Sequence, residues 1–297
     1  MQSNTNDANY VPKRLYSILS IQNIYTIYSM TYENGFIFPG ESHNFWELSF
    51  ILHGKCTVTS GNNIFLCQTG NAVIHSPNCF HCFQADKNTS CKCFTISFDG
   101  MGLSSLPSSG LYSLFPDEQN CIFQILKELS LLFGELDGTE YSQLFSTASC
   151  DEVGLQLIKK YLEVLCLSLT RRGDAARELP LKDSRTLCYT KIVDFLQNNV
   201  ERNLTLADIS NEIYLSPSKI KEIFHSFSGI GIMKYFANLR CEHIIYLLSE
   251  GNSVKSIASI MDFSSPYYLS FFFKRETGMT IREHIKSHMY KKEHYDI

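Results

Sequence analysis

No stretch of this 297-residue chain approaches the roughly 20 consecutive apolar residues that a transmembrane helix needs. The opening segment, Met1 to Val11, is polar and lacks the basic and apolar regions of a secretion signal, so a cytoplasmic protein with no membrane partner is expected. Excess positive charge is missing too. The chain carries 26 Lys and Arg against 30 Asp and Glu, a net charge of −4, which gives poor direct support for nucleic-acid binding. The distribution is more informative. From Thr186 onward 13 Lys and Arg meet 12 Asp and Glu, with five further histidines, while the part before it is net acidic. A local basic face is therefore expected in the C-terminal part, not a strongly basic domain. Cysteine is not scarce: there are 11, an odd number in a chain without a secretion signal. Reduced thiols are expected rather than a disulfide framework. An apolar content of 44% and a charged content of 19% are ordinary for a globular chain, and the length suits two domains with a core each.

The last hundred residues carry one pattern twice. The first copy runs from Leu206-Ala207-Asp208-Ile209-Ser210 through Ile213 to Ser216-Pro217-Ser218 and Ile220, Ile223 and Phe224, closing at Gly229. The second runs from Val254-Lys255-Ser256-Ile257-Ala258 through Met261 to Ser265-Pro266-Tyr267 and Leu269, Phe272 and Phe273, closing at Gly278. The offset is 48 residues at the first helix and 49 at the Ser-Pro pair and the glycine, so one residue has been added in the turn. Each copy reads as a helix-turn-helix. Ser216 and Ser265 can cap the second helix, and Pro at its first position loses nothing by lacking a donor.

With Ile220, Ile223, Phe224, Leu269, Phe272 and Phe273 facing the module cores, the opposite face is left for DNA. It carries Ser218, Lys221 and Glu222 in the first copy and Tyr267, Ser270 and Phe271 in the second, as candidates for reading base edges in the major groove. Phe271 suits either a thymine methyl or the scaffold. Lys219, Lys274 and Arg275 are candidates for phosphate contacts, which position without specifying. The segment Lys234–Ser249 is the natural connector, holding the two copies for successive major grooves about 34 Å apart. The alternative is a helical bundle whose serines and lysines are solvated surface. Matched caps, aromatic cores and closing glycines in both copies argue against it.

Earlier in the chain, residues 15–98 read as short alternating strands: Tyr25–Tyr32, Trp46–Leu52, Cys56–Ser60, Ile64–Cys67, Ala72–His75 and Lys92–Phe98. Turn clusters such as Gly61-Asn62-Asn63 separate them, which suggests a β-barrel or jelly roll. Residues 99–118 are rich in Gly, Ser and Pro and read as a loop. Helices are expected over Glu118–Leu136 and Asp151–Arg171, the second strongly amphipathic through Leu157, Ile158, Tyr161, Leu162, Leu165 and Leu169. The polar stretch Gly173–Arg185 reads as a linker.

At residues 186–290 the chain resembles the AraC family of bacterial transcription regulators. The resemblance rests on Leu215-Ser216-Pro217-Ser218, Phe224, Arg240 with Leu247-Leu248, Ile257-Ala258, Phe263, Tyr268-Leu269-Ser270, Phe273-Lys274 and Gly278. Four positions depart from the family pattern: Asp262 for a Gly, His225 for a Lys, Ile281 for a Pro and Phe271 for an Arg. The resemblance implies an α+β multi-domain protein. Its parts are a cupin-like ligand-sensing and dimerisation domain at 1–172, a linker at 173–185 and an all-α tandem helix-turn-helix domain at 186–297.

It further implies a sequence-specific DNA-binding regulator, not an enzyme, that answers a small-molecule effector such as a sugar. The partners it implies are double-stranded promoter DNA, a second copy of the chain in a homodimer and, as a candidate, RNA polymerase. His43, Trp46, Glu47 and His81 match degenerate cupin motifs and are assigned to the effector pocket, with no cofactor or metal expected. Two histidines and a carboxylate can also form a metal triad, although Phe45 stands where a cupin would offer another histidine. A second alternative is a zinc or redox site at Cys79, Cys82, Cys91 and Cys93. A metal-dependent cupin enzyme is the third.

Overall fold

The structure, a computed structural model, describes residues 12–134, 151–174 and 177–286. The first eleven residues, the expected helix end at 135–136, linker residues 175–176 and the C-terminal 287–297 lie outside the described residues.

Nine strands form the N-terminal part: β1 (Ser20–Tyr32), β2 (Ile37–Glu41), β3 (Trp46–His53), β4 (Lys55–Ser60), β5 (Asn63–Gln68), β6 (Asn71–His75), β7 (His81–Ala85), β8 (Cys91–Met101) and β9 (Gly110–Ser113), among the described residues. They make two antiparallel sheets, β1-β8-β3-β6-β9 and β2-β7-β4-β5, facing each other as a jelly roll. Period-2 alternation sorts the residues of the larger sheet. Leu48 and Phe50 of β3, with Phe94, Ile96 and Phe98 of β8, turn outward into a core under two helices. Ile51, Cys91 and Cys93 turn inward to meet Cys56, Val58, Phe65 and Cys67.

Those helices are α1 (Pro116–Phe133) and α2 (Glu152–Arg172). Both bury an apolar face on the sheet: Ile122, Ile125 and Leu129 from α1, and Ile158, Leu162, Leu165 and Leu169 from α2. A buried Glu118 clamps the pair, accepting from Arg172 and, at 2.8 Å, from the Ser168 hydroxyl. Residues 99–118, read as loop, instead hold the end of β8, all of β9 and the first turn of α1. A four-residue strand inside a Gly- and Ser-rich stretch has too little periodicity to show. The expected linker is also not free. Its Glu178 and Leu181 N–H groups donate to Leu111 and Ile64 carbonyls of the barrel at 2.8 and 2.7 Å.

The C-terminal half is helical: α3 (Ser184–Asn198), α4 (Leu206–Ile213), α5 (Pro217–Ser228), α6 (Ile232–Ser249), α7 (Val254–Ile260) and α8 (Pro266–Thr277), then a turn of helix at 281–286. Two cores result. Ile209, Ile220, Ile223 and Phe224 pack with Tyr189 and Tyr235 in the first, and Ile257, Leu269 and Phe273 with Ile244 and Met261 in the second. The first core reaches into the barrel, taking in Ile64, Phe80 and Cys82.

Candidate DNA-reading face and sensor pocket

The two helix-turn-helix copies are built from the same local chemistry. Ser216 Oγ accepts from the Lys219 N–H at 3.3 Å and Ser265 Oγ from the Tyr268 N–H at 3.2 Å, with Pro217 and Pro266 at the first helical positions. Gly229 and Gly278 close α5 and α8 in the left-handed conformation, at φ 69° and 78°. Asp262 has φ 55°, which shows why a Gly is usual at that position.

Every base-reading candidate is solvent-exposed: Ser218, Lys221 and Glu222 on α5, and Tyr267, Ser270 and Phe271 on α8. The phosphate candidates Lys219, Lys274 and Arg275 are exposed as well. Some of these have internal partners that DNA would have to displace. Lys219 donates to Glu222 at 2.8 Å, Arg185 lies 3.5 Å from the same carboxylate, and Arg275 donates to Glu276. Phe271 is 56% exposed and lines an open apolar groove with Val254, Tyr267 and Ile281, so it does not pack away into the scaffold. Arg240, on α6, is 4% exposed and joins the copies. It donates to the Arg202 carbonyl on one side and the Met261 carbonyl on the other, and its guanidinium lies 4.6 Å from the Phe263 ring centroid.

Inside the barrel, the β2–β3 connection, β3 and β7 bring His43, Glu47 and His81 together, with Glu41 at the end of β2 as a fourth member that the sequence did not single out. One ligand atom from each of the four lies within 4.8 Å of the others. His43 Nε2 and His81 Nε2 stand 3.4 Å from the two oxygens of Glu47, and Glu41 is 3.9 Å from His81 Nε2. Phe45, at the position where a cupin would offer a further histidine, stacks on the His43 ring at 3.9 Å and on Tyr25 at 4.2 Å. Trp46 does not join the group. Strand parity turns it to the outer face, against the core beneath α1 and α2.

Burial opposes ionisation of Glu47, but the imidazoles of His43 and His81 outweigh it and hold its carboxyl well below the usual range. For His81 the burial penalty is outweighed by Glu47, and its pKa rises. His75, fully buried and stacked 4.1 Å from His81, is pushed well below its ordinary value, chiefly by burial and then by the charge of His81. The cavity that Glu41, Glu47, His75 and His81 share with Tyr28, Ser49 and Thr95 has a volume of about 40 Å³, and His43 stands outside its lining.

The cysteine cluster differs from the expected one. Cys56, Cys67, Cys91 and Cys93 share the barrel core, with Cys91 Sγ 3.6 Å from Cys93 Sγ and Cys56 directly opposite Cys67. Cys82 faces away and donates to the Phe227 carbonyl, while Cys79 sits beside Ser60. The parity of β7 decides this, because His81 points into the barrel and its neighbour must point out.

A barrel holding a polar pocket, packed against the first module of a helical half that carries two capped recognition helices, defines a ligand-responsive DNA-binding regulator. Residues 23–158 match the family described as "AraC-like ligand binding domain", and residues 209–287 the one described as "Helix-turn-helix domain". The chain belongs to the AraC family of transcription regulators. It is 25% identical over 252 residues to the raffinose operon transcriptional regulatory protein RafR of Pediococcus pentosaceus, covering 82% of this chain and 85% of that one. It is 30% identical over 117 residues to the HTH-type transcriptional activator RhaR of Salmonella schwarzengrund (strain CVM19633), covering 39% of this chain and 41% of that one. Among solved structures it is similar to unsaturated fatty acid bound ToxT of Vibrio cholerae, at 14% identity and a TM-score of 0.37 over 88% of this chain and 94% of that one. The α+β multi-domain architecture expected from the sequence is thus borne out. No helix among the described residues is long and apolar enough to cross a membrane.

Proposed function

We propose that this chain is a homodimeric, non-enzymatic regulator that reads promoter DNA through Ser218, Lys221 and Glu222 on α5 and Tyr267, Ser270 and Phe271 on α8. Lys219, Lys274 and Arg275 hold phosphates. A sensor over residues 1–172 and a DNA-binding part over 186–297 are joined by the stretch that runs along the barrel. The observation that carries this reading is the pair of matched recognition helices, each capped at both ends, with their outward faces uncovered.

One relative supports a sugar as the effector class, RafR by its connection to a raffinose operon. A sugar pocket is ordinarily at least about 300 Å³, so a barrel with a 40 Å³ cavity must open to admit one. Strand β2 is the place for it, an edge strand whose register with β7 slips between Phe38 and Glu41. RNA polymerase is the proposed downstream partner. The same small cavity, lacking a substrate cleft, supports a sensor over an enzyme.

The test is selection of a duplex from a random pool by the full-length protein, followed by anisotropy titrations. Lys221→Ala and Tyr267→Ala should each weaken the selected site by about tenfold, in the range of one lost base contact. Lys274→Ala should weaken all duplexes alike and lower the salt slope by about one unit. Equal binding by all three variants would remove α5 and α8 as the reading elements. Raffinose raising the melting temperature would support the sugar class, and no change at millimolar raffinose would count against it.

A further inference from the structure

The hydrogen bonds around the pocket fix the state of both histidines. His43 Nδ1 is 3.0 Å from the Phe45 carbonyl and His81 Nδ1 is 2.9 Å from the Cys79 carbonyl. A carbonyl only accepts, so both Nδ1 atoms carry the proton, and in a neutral ring Nε2 is then a lone pair. Each Nε2 is buried without a hydrogen-bonding partner and faces Glu47 across 3.4 Å. The two Nε2 atoms thus converge on the Glu47 carboxylate from either side, on rings whose centroids are 5.0 Å apart, with one Glu41 oxygen 3.9 Å from His81 Nε2.

We propose that Glu41, His43, Glu47 and His81 bind one divalent first-row transition-metal ion in the barrel as it stands closed. The two carboxylates balance the ion's charge, and the two Nε2 lone pairs supply imidazole donors suited to zinc, iron or nickel. Donors about 2.1 Å from a tetrahedral ion lie about 3.4 Å apart, which is the spacing found on both sides of Glu47. Backbone carbonyls holding the far ring nitrogens are the usual outer support for metal-ligating histidines. The cavity of about 40 Å³ holds an ion and one water, far less than a sugar requires.

This inference deepens the sensor reading and rests on it for a consequence. Residues next to two of the ligands grip the DNA-binding half. Ser42, between Glu41 and His43, donates to Glu242 of α6, and Cys82, next to His81, donates to the Phe227 carbonyl at the end of α5. Drawing the four ligands inward therefore pulls on one contact to the recognition helix α5 and one to the connecting helix α6.

The experiment uses untagged full-length protein stripped with a chelator and titrated with Zn²⁺, Mn²⁺, Ni²⁺ and Co²⁺. Uptake is read by elemental analysis, calorimetry and the Co²⁺ visible spectrum. We expect one ion per chain, a raised melting temperature and Co²⁺ bands without thiolate charge transfer. Glu47→Gln, His81→Gln and His43→Gln, each checked for folding by circular dichroism, should lose affinity by about 100-fold or more, beyond the cost of losing an outer hydrogen-bonding partner.

Failure of the stripped protein to take up any of the four ions overturns the proposal. So does equal uptake by a folded variant, or a thiolate band that disappears with Cys79→Ser or Cys91→Ser. The two readings fail separately. An ion that binds without changing affinity for the selected duplex leaves the site standing and removes the metal as effector. A sugar that shifts melting in a protein that takes up no ion does the reverse.

Discussion

Arg240 illustrates how much of the DNA-binding half hangs on a single side chain. Its guanidinium bonds the Arg202 carbonyl, in the turn leading into the first copy, and the Met261 carbonyl of the second, and lies over Phe263. Arg240→Ala leaves two carbonyls without their charged donor. Stability should fall by roughly 3 kcal/mol in urea denaturation, with weaker binding of the selected duplex as the two copies lose their common anchor. Glu276 sets a second expectation at this scale. Burial pushes its carboxyl up, but Lys234 and Arg275 outweigh that and hold it below the usual value. A depressed carboxylate gives stability that is present above its unfolded pKa, about 4.3, and is lost as pH falls through the folded value. Between pH 5 and 3 the urea midpoint of the wild type should therefore drop further than that of Glu276→Gln. Equal drops would show that the Lys234 bridge contributes nothing.

Among the elements, α5 and α8 are near copies whose ends meet different surroundings. Gly278 has open space where a Cβ would stand, whereas a Cβ on Gly229 would lie 3.0 Å from Ile37 Cγ2 and Pro39 Cα of the barrel. Gly278→Ala should cost roughly 1 kcal/mol for the left-handed backbone alone. Gly229→Ala adds a clash with β2 and should cost about 2–3 kcal/mol. Denaturation of the two variants side by side checks the difference, and equal costs would mean that β2 yields freely.

The caps, cores and closing glycines of both elements were legible in the sequence because each has a local signature. Strands β2, β7 and β9 were not. Pro39-Gly40 interrupts the first, the second is five residues without clear alternation, and the third sits in a Gly- and Ser-rich stretch. With β2 unseen, Glu41 was unseen too, since it meets His81 only through the β2–β7 pairing. Trp46 and Cys82 were misplaced for one shared reason: a one-residue step along a strand changes the face.

Across the whole molecule, α2 presents apolar side chains that neither the barrel nor α1 covers. Val153, Leu157, Val164 and Leu167 are 65%, 37%, 54% and 38% exposed and lie on one side of the helix. A stripe of this kind suits a second copy, the dimer proposed above. Leu157→Glu with Val164→Glu should convert a dimer to a monomer in sedimentation, with the fold retained because neither side chain is in the core. The double variant should also lose any preference for paired half-sites. A wild-type protein that sediments as a monomer at micromolar concentration would end the dimer reading.

Over residues 41–43 and 80–82, pocket residues (Glu41, His43, His81) alternate with residues that meet the helical half (Ser42, Phe80, Cys82). That parity separates two kinds of inheritance. In a descendant chain, substitutions at 41, 43, 47 and 81 rewrite what the barrel recognises, while Ser42, Phe80 and Cys82 keep the same hold on the helices. A lineage can thus exchange its chemical signal without relearning how to pass it on. Exchange of the inward residues alone is accordingly the economical route to a regulator that answers a new compound at an old promoter.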